Sequence, residues 1–148
     1  MDLPLGQYQA LAEFRHQLRR FLHFSEEQAR SRGLEPQQHQ LLLAIKGLPS
    51  DARATIGELA ERLQLKHHST VELVDRLERA KYVTRSVSED DRREVVVRLT
   101  EGAARVLRRL SLAHRQELKT AGPALGAALR SLRHGTRKPA TRRARKAA

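Results

Sequence analysis

The 148-residue sequence is 39% hydrophobic and 31% charged but only 3% aromatic, so Leu, Val and Ala must fill the core of one domain of ordinary size. Its formal net charge of +12 favours polyanionic partners: DNA, RNA or an anionic membrane surface. The absence of cysteine excludes disulfides, thiolate metal sites and thiol redox switching.

The first helix is expected from about Gln7 to Ser31. Leu11, Phe14, Leu18, Phe21 and Leu22 recur three or four apart and form one narrow stripe on a polar helix. Such a stripe suits packing against another long helix, including one from a second subunit. Gly33 closes this helix. Pro36 opens the second, which runs through "QQHQLLLAIKG" to Gly47 and is apolar nearly all round between Leu41 and Ile45. After the loop "LPSDARA", "TIGELAERL" begins a third helix with Thr55 and Glu58 as a reciprocal capping box. "QLK" is a short turn. The fourth helix, "HHSTVELVDRLERA", turns Thr70, Leu73, Val74 and Leu77 inward.

The period then becomes that of strands. "VTRSV" (83–87) and "EVVVRL" (94–99) flank the tip "SEDDRR", a hairpin with a long charged turn. Thr100 can cap a fifth helix, which Gly122 and Pro123 are expected to break before a last short helix, "ALGAALRSL". From Arg133 to the end there are seven Lys or Arg and no acid, and without them the net charge falls to +5. That tail has no apolar periodicity and reads as disordered. No apolar run approaches the roughly 20 residues needed to span a membrane. The start, "MDLPLGQYQALAEF", lacks the basic and apolar blocks of a signal peptide, so a cytoplasmic protein is expected.

Two short helices with a tight turn, followed by a charged hairpin, are the parts of a winged helix-turn-helix. The major groove admits one helix, and the fourth would present His67, His68, Ser69, Glu72 and Arg76 to it. Arg76 offers a rigid fork of N–H donors. Glu72 can accept from a cytosine amine or orient Arg76 four residues later. Taken alone, this face equally fits a solvated helix surface. At the hairpin tip, Arg92 and Arg93 stand where a loop can enter a narrow, electronegative groove. Asp91 can hold one arginine while the other points outward. A charge run alone is usually a solvated turn; its place after a helix-turn-helix favours the groove.

Residues 55–100, with "ELAERL", "STVELVDRLERA" and "DDRREVVVRLT" as the most specific pieces, strongly resemble the MarR family of bacterial winged-helix regulators. The order of the flanking helices fits over roughly residues 8–132. The resemblance implies a mainly α fold with a small β-hairpin wing. In it, a winged helix-turn-helix (about 36–100) lies between N- and C-terminal dimerisation helices (about 7–31 and 101–133). Residues 1–133 would be a single domain and 134–148 a disordered basic tail. It also implies that Asp90 or Asp91 braces the wing and that Arg92 and Arg93 secure it in the minor groove. Lys66, just before the recognition helix, joins the DNA-binding set. This chain has Lys81 and Tyr82 where the family usually has glycine and an apolar residue.

The expected function is therefore a homodimeric, sequence-specific regulator of transcription on double-stranded DNA, a repressor responsive to a small ligand. Arg15, Arg19 and His39 are candidate contacts for that effector. The alternative is a non-specific nucleic-acid compaction protein driven by the tail. An enzyme is not expected. There is no Gly-x-Ser-x-Gly, glycine-rich phosphate loop or His-Glu-x-x-His, and no nucleophile stands with a base. Neither a metal nor another cofactor is expected. The sequence has seven histidines, but adjacent ones such as His67 and His68 point about 100° apart on a helix, and no third ligand joins His68 and Glu72.

Overall fold

The computed structural model describes residues 2–134. In chain order the elements are α1 (Leu5–Ser31), α2 (Pro36–Lys46), α3 (Ile56–Leu63), α4 (His67–Arg79), β1 (Val83–Val87), β2 (Val95–Leu99) and α5 (Glu101–His134). The expected basic tail lies outside the described residues, apart from its first residue. The chain divides into two compact units, one of residues up to 22 with those from 117 onward, the other His23–Gln116. Both α1 and α5 run from one unit into the other.

The unit His23–Gln116 holds a continuous apolar core. Ala29 of α1, Leu41 and Leu42 of α2, Leu59 of α3, Leu73, Val74 and Leu77 of α4, Val83 and Val97 of the hairpin, and Ala103, Leu107 and Leu110 of α5 are all buried. Each helix contributes its inward positions at helical spacing, which is why the apolar pattern located them. Thr70 is fully buried as well, its hydroxyl donating to the Lys66 carbonyl at 3.0 Å.

The two strands pair antiparallel, Val83 opposite Leu99 and Val87 opposite Val95. An isolated two-stranded hairpin is marginal in water. Here the inner strand gains a third partner: Val97 N–H donates to the Ala54 carbonyl at 2.9 Å, beside a bridge between Thr55 and Val96. The loop before α3 thus roots the wing.

Helices α1, α3 and α4 end in the same way. At α4, Lys81 N–H donates to Glu78 O at 3.0 Å and Tyr82 N–H to Leu77 O at 2.9 Å. At α3, Gln64 N–H donates to Glu61 O and Leu65 N–H to Ala60 O. At α1, Gly33 and Leu34 repeat the pattern onto Arg30 and Ala29. This is the Schellman motif, and it places its central residue in the left-handed region. Gly33 has φ +76°, but Gln64 and Lys81 adopt φ +53° and +63° with a Cβ present.

Two expectations are corrected. Gly122 and Pro123 do not break α5, which is one helix with Pro123 inside it. Proline removes one amide donor and crowds the carbonyl a turn earlier, but Ala121, Gly122 and Ala124 beside it are small, and helix follows on both sides. The capping box of α3 is half formed. Thr55 Oγ1 accepts the Glu58 amide at 3.2 Å, but the Glu58 carboxylate takes Arg62 Nε at 2.8 Å. The reciprocal box occurs at α2 instead, where Glu35 N–H donates to Gln38 Oε1 at 2.9 Å.

Candidate nucleic-acid interface

The helix-turn-helix comprises α3, Gln64–Lys66 and α4. With Thr70, Leu73, Val74 and Leu77 buried, the opposite face of α4 is solvent-facing. His67, His68, Glu72 and Arg76 are exposed there and Ser69 is half-buried; Lys66 caps the helix and is exposed. Among the described residues no ion pair joins Glu72 to Arg76, so the predicted orienting contact is absent. Arg79 shares this face. At 100° per residue it falls close in angle to His68, it is exposed, and it makes no ion pair among the described residues. It was missed because it sits in the last turn, past the residues that helix-turn-helix patterns make prominent.

The wing tip is closed by backbone bonds. Ser88 N–H donates to Glu94 O at 2.9 Å, and Glu94 N–H to Asp91 O at 3.0 Å. Asp91 does not hold an arginine side chain. Its Oδ1 accepts the Arg93 backbone N–H at 2.9 Å, a local turn that fixes the chain rather than the guanidinium. The Arg92 and Arg93 side chains are exposed and unpaired among the described residues.

The brace comes from elsewhere. Arg53, in the loop before α3, reaches Glu94 at 2.8 Å, Ser88 Oγ at 3.2 Å and Asp90 at 3.7 Å. Asp90, the expected wing brace, thus lies within ion-pair distance of Arg53 and not of a wing arginine. A second tie joins the wing to the recognition helix: Arg85 of β1 pairs with Asp75 and, at 3.7 Å, with Glu78, both on α4. Neither Arg53 nor Arg85 stood out in the sequence, because their partners lie on other elements.

The wing and recognition helix thus form one unit. Among the described residues Arg76, Arg79, Arg92 and Arg93 make no ion pair, while Asp75, Glu78, Asp90 and Glu94 pair with Arg85 or Arg53. A sequence model of the MarR family matches residues 32–94, the stretch that carries this arrangement. Over that stretch, less than half of its length, the chain is similar to the MarR family. It is 40% identical over 75 residues to the uncharacterized HTH-type transcriptional regulator YfiV of Bacillus subtilis (strain 168). That match spans 51% of this chain and 44% of YfiV, so the chain covers less than half of that curated relative. Its fold is also that of AbsC, a MarR family transcriptional regulator from Streptomyces coelicolor (TM-score 0.69, 21% identity, 82% of this chain and 81% of that one). A mutant MarR from E. coli complexed with operator DNA is similar as well (TM-score 0.61, 21% identity, 80% and 89%). These last two likenesses establish the fold.

The effector candidates fall in different places. Arg15 and Arg19 are exposed on α1, in the first unit. His39 of α2 is buried in the second, its ring centroid 4.9 Å from that of His114. His114 Nδ1–H donates to Leu110 O at 2.6 Å, and its Nε2 lies 2.7 Å from Ser25 Oγ. Burial first, then the neighbouring His114, holds the pKa of His39 below its ordinary value. Among the described residues no group of three or more His, Asp or Glu could hold a metal ion. No helix of the described residues is long and apolar enough to cross a membrane.

Proposed function

We propose that this chain is a MarR-family, homodimeric regulator that binds a pseudo-palindromic operator in double-stranded DNA and represses transcription until a small effector releases it. The observation that carries this reading is the set of cations, without ion pairs among the described residues, on two braced, adjacent elements. On α4, His67, His68, Ser69, Arg76 and Arg79 would read bases or fix the helix on phosphates, with Glu72 accepting from a cytosine amine and Lys66 at the helix entry. Arg92 and Arg93 would enter the minor groove, where negative potential favours arginine.

The dimer reading rests on apolar side chains exposed on a single copy. Leu3 just before α1, Leu5, Tyr8 and Leu11 in its first turns, and Leu118 and Leu129 of α5 face solvent in the first unit. Exposed apolar side chains, where they adjoin, are the usual mark of a partner surface. Two recognition helices in a dimer would then read half-sites about one helical turn apart, roughly 34–36 Å. The flanking helices 7–31 and 101–133 would serve dimerisation and 36–100 would serve DNA. Arg15 and Arg19 in the first unit, and separately His39 in the second, are the proposed effector contacts.

The charge of +12, concentrated toward the C-terminus, favours a second reading, sequence-blind nucleic-acid binding. Fluorescence anisotropy separates the two. The protein is titrated against DNA from its own upstream region and against a shuffled duplex, across a salt series. A preference that survives physiological salt is expected. Equal binding to both duplexes, collapsing with salt on every candidate operator tried, would establish the second reading instead.

A further inference from the structure

The register of the hairpin sets what each face of the wing carries. Alternate residues along a strand share a face, and so do residues directly opposite each other. One face therefore holds Val83, Arg85 and Val87, paired in turn with Leu99, Val97 and Val95. Its root belongs to the core, where Val83 and Val97 are buried. Its middle is the tie to the recognition helix, where Arg85 meets Asp75 and Glu78 of α4. Its outer end belongs to neither. Val87 is 58% exposed and Val95 41%, next to the tip that carries Arg92 and Arg93. Single exposed valines are ordinary, but these two stand directly opposite each other, on the face that the fold turns toward α4.

DNA bound in the proposed way brings a matching surface to that pair. With α4 in a major groove and the tip in the adjoining minor groove, one sugar–phosphate strand passes between them, because it is the wall that the two grooves share. Arg85 ties the wing to α4, so the strand must pass on the tip side of the tie, against Val87 and Val95. Its phosphates have cations on both sides: Arg76 and Arg79 on the helix, Arg92 and Arg93 on the tip, none in an ion pair among the described residues. Between phosphates the strand presents the C–H edges of deoxyribose. The one charged side chain on this face, Arg85, is already paired, and the valines offer a phosphate nothing. They offer a sugar an apolar seat.

We infer that Val87 and Val95 seat the deoxyribose of the strand shared by the two grooves. They are DNA contacts that carry no charge and read no base, and they fix how deep the tip sits. The inference rests on the proposed DNA-binding function and adds a distinct component to it. Phosphate contacts release counterions and weaken as salt rises. Apolar burial on a sugar releases none, so this part of the grip persists at every salt concentration.

The test uses the full chain and duplexes that it selects from a random pool, with Kd measured by anisotropy across a salt series. Val87→Thr and Val95→Thr each exchange a methyl for a hydroxyl at an exposed position and keep the β-branch that strands favour. Each should raise Kd about fourfold, the equivalent of one buried methylene. The rise should be the same at every salt concentration, so that the plots of log Kd against log salt run parallel to wild type. Arg93→Ala, by contrast, should change that slope by about one. Val87→Ile keeps the seat apolar and should bind as wild type does. An unchanged Kd in the double threonine variant would overturn the inference. So would a slope altered as in Arg93→Ala, which would mean lost phosphate contacts, or an equal weakening in Val87→Ile. Sedimentation velocity covers the other occupant: threonine variants that keep their DNA affinity but change oligomeric state would assign the pair to a second copy of the chain and overturn the sugar contact. A pool that enriches no sequence would overturn the reading as a specific regulator. The same variants on a shuffled duplex at low salt would then still decide the pair, since a sugar contact carries no sequence.

Discussion

Lys81→Gly is expected to stabilise the protein. Lys81 holds φ +63° at the centre of the motif that turns α4 into the wing. A Cβ in this region costs roughly 1–2 kcal/mol. Glycine removes that cost but loses about 0.5–1 kcal/mol more chain entropy on folding. The Lys81 side chain is exposed and makes no ion pair among the described residues, so its removal takes away no contact. Its backbone bonds, from its N–H to Glu78 O and from the Thr100 hydroxyl to its own carbonyl, do not depend on the side chain. The net gain is about 0.5–1 kcal/mol, or a rise in Tm on the order of 2–4 °C. Gln64→Gly, at φ +53°, should gain a similar amount, and Gly33→Ala, at φ +76°, should lose it. Thermal and urea unfolding followed by circular dichroism, at one protein concentration, measure all three. A Lys81→Gly protein no more stable than wild type would refute the argument from backbone strain.

Other outcomes follow from the buried histidine and the charged surfaces. Because the pKa of His39 is lowered in the fold from its ordinary 6.5, its neutral form is intact in both states above that pH. As pH falls below it, the unfolded chain takes up the proton first, and stability is lost down to the folded-state value. The urea midpoint should therefore drop less between neutral and mildly acidic pH in His39→Leu than in wild type; identical slopes would sink this assignment. Arg93→Ala should weaken operator binding by about 1–3 kcal/mol, measured by anisotropy, if the wing makes a specific contact. Deleting residues 135–148 should lower the salt slope of DNA binding while the preference between sequences persists, which a paired salt series on two duplexes would check.

The helices were legible because burial leaves a period. Leu59, Leu73, Val74 and Leu77 fall where the apolar spacing places them. The hairpin was legible because Val83–Val87 and Val95–Leu99 are β-branched runs around a charged turn. Continuity through Pro123 was not, since proline reads locally as a breaker and the surrounding helix outweighs it. Bracing was the least legible layer. Arg53 meets Ser88 from 35 residues away, and His114 meets Ser25 from 89. Nothing in spacing pairs them. The acids beside the wing arginines invited a local pairing, whereas Asp91 takes a backbone amide and Asp90 takes Arg53. Lys81 was visible as a departure from the family's glycine, and its positive φ gives that departure a physical meaning.

The Asp91 turn has a kinetic corollary. With Arg93 N–H already bonded to Asp91 Oδ1, the tip in the proposed regulator would reach DNA with its backbone ordered. Encounter with DNA is then governed by long-range charge, which the turn does not alter, and the geometry of the tip acts on how long the complex lasts. Asp91→Ala should thus leave the association rate on DNA close to wild type, or slightly raise it through the lost negative charge, and shorten the lifetime of the complex. A slower association with an unchanged lifetime would mean that the tip orders itself only after contact.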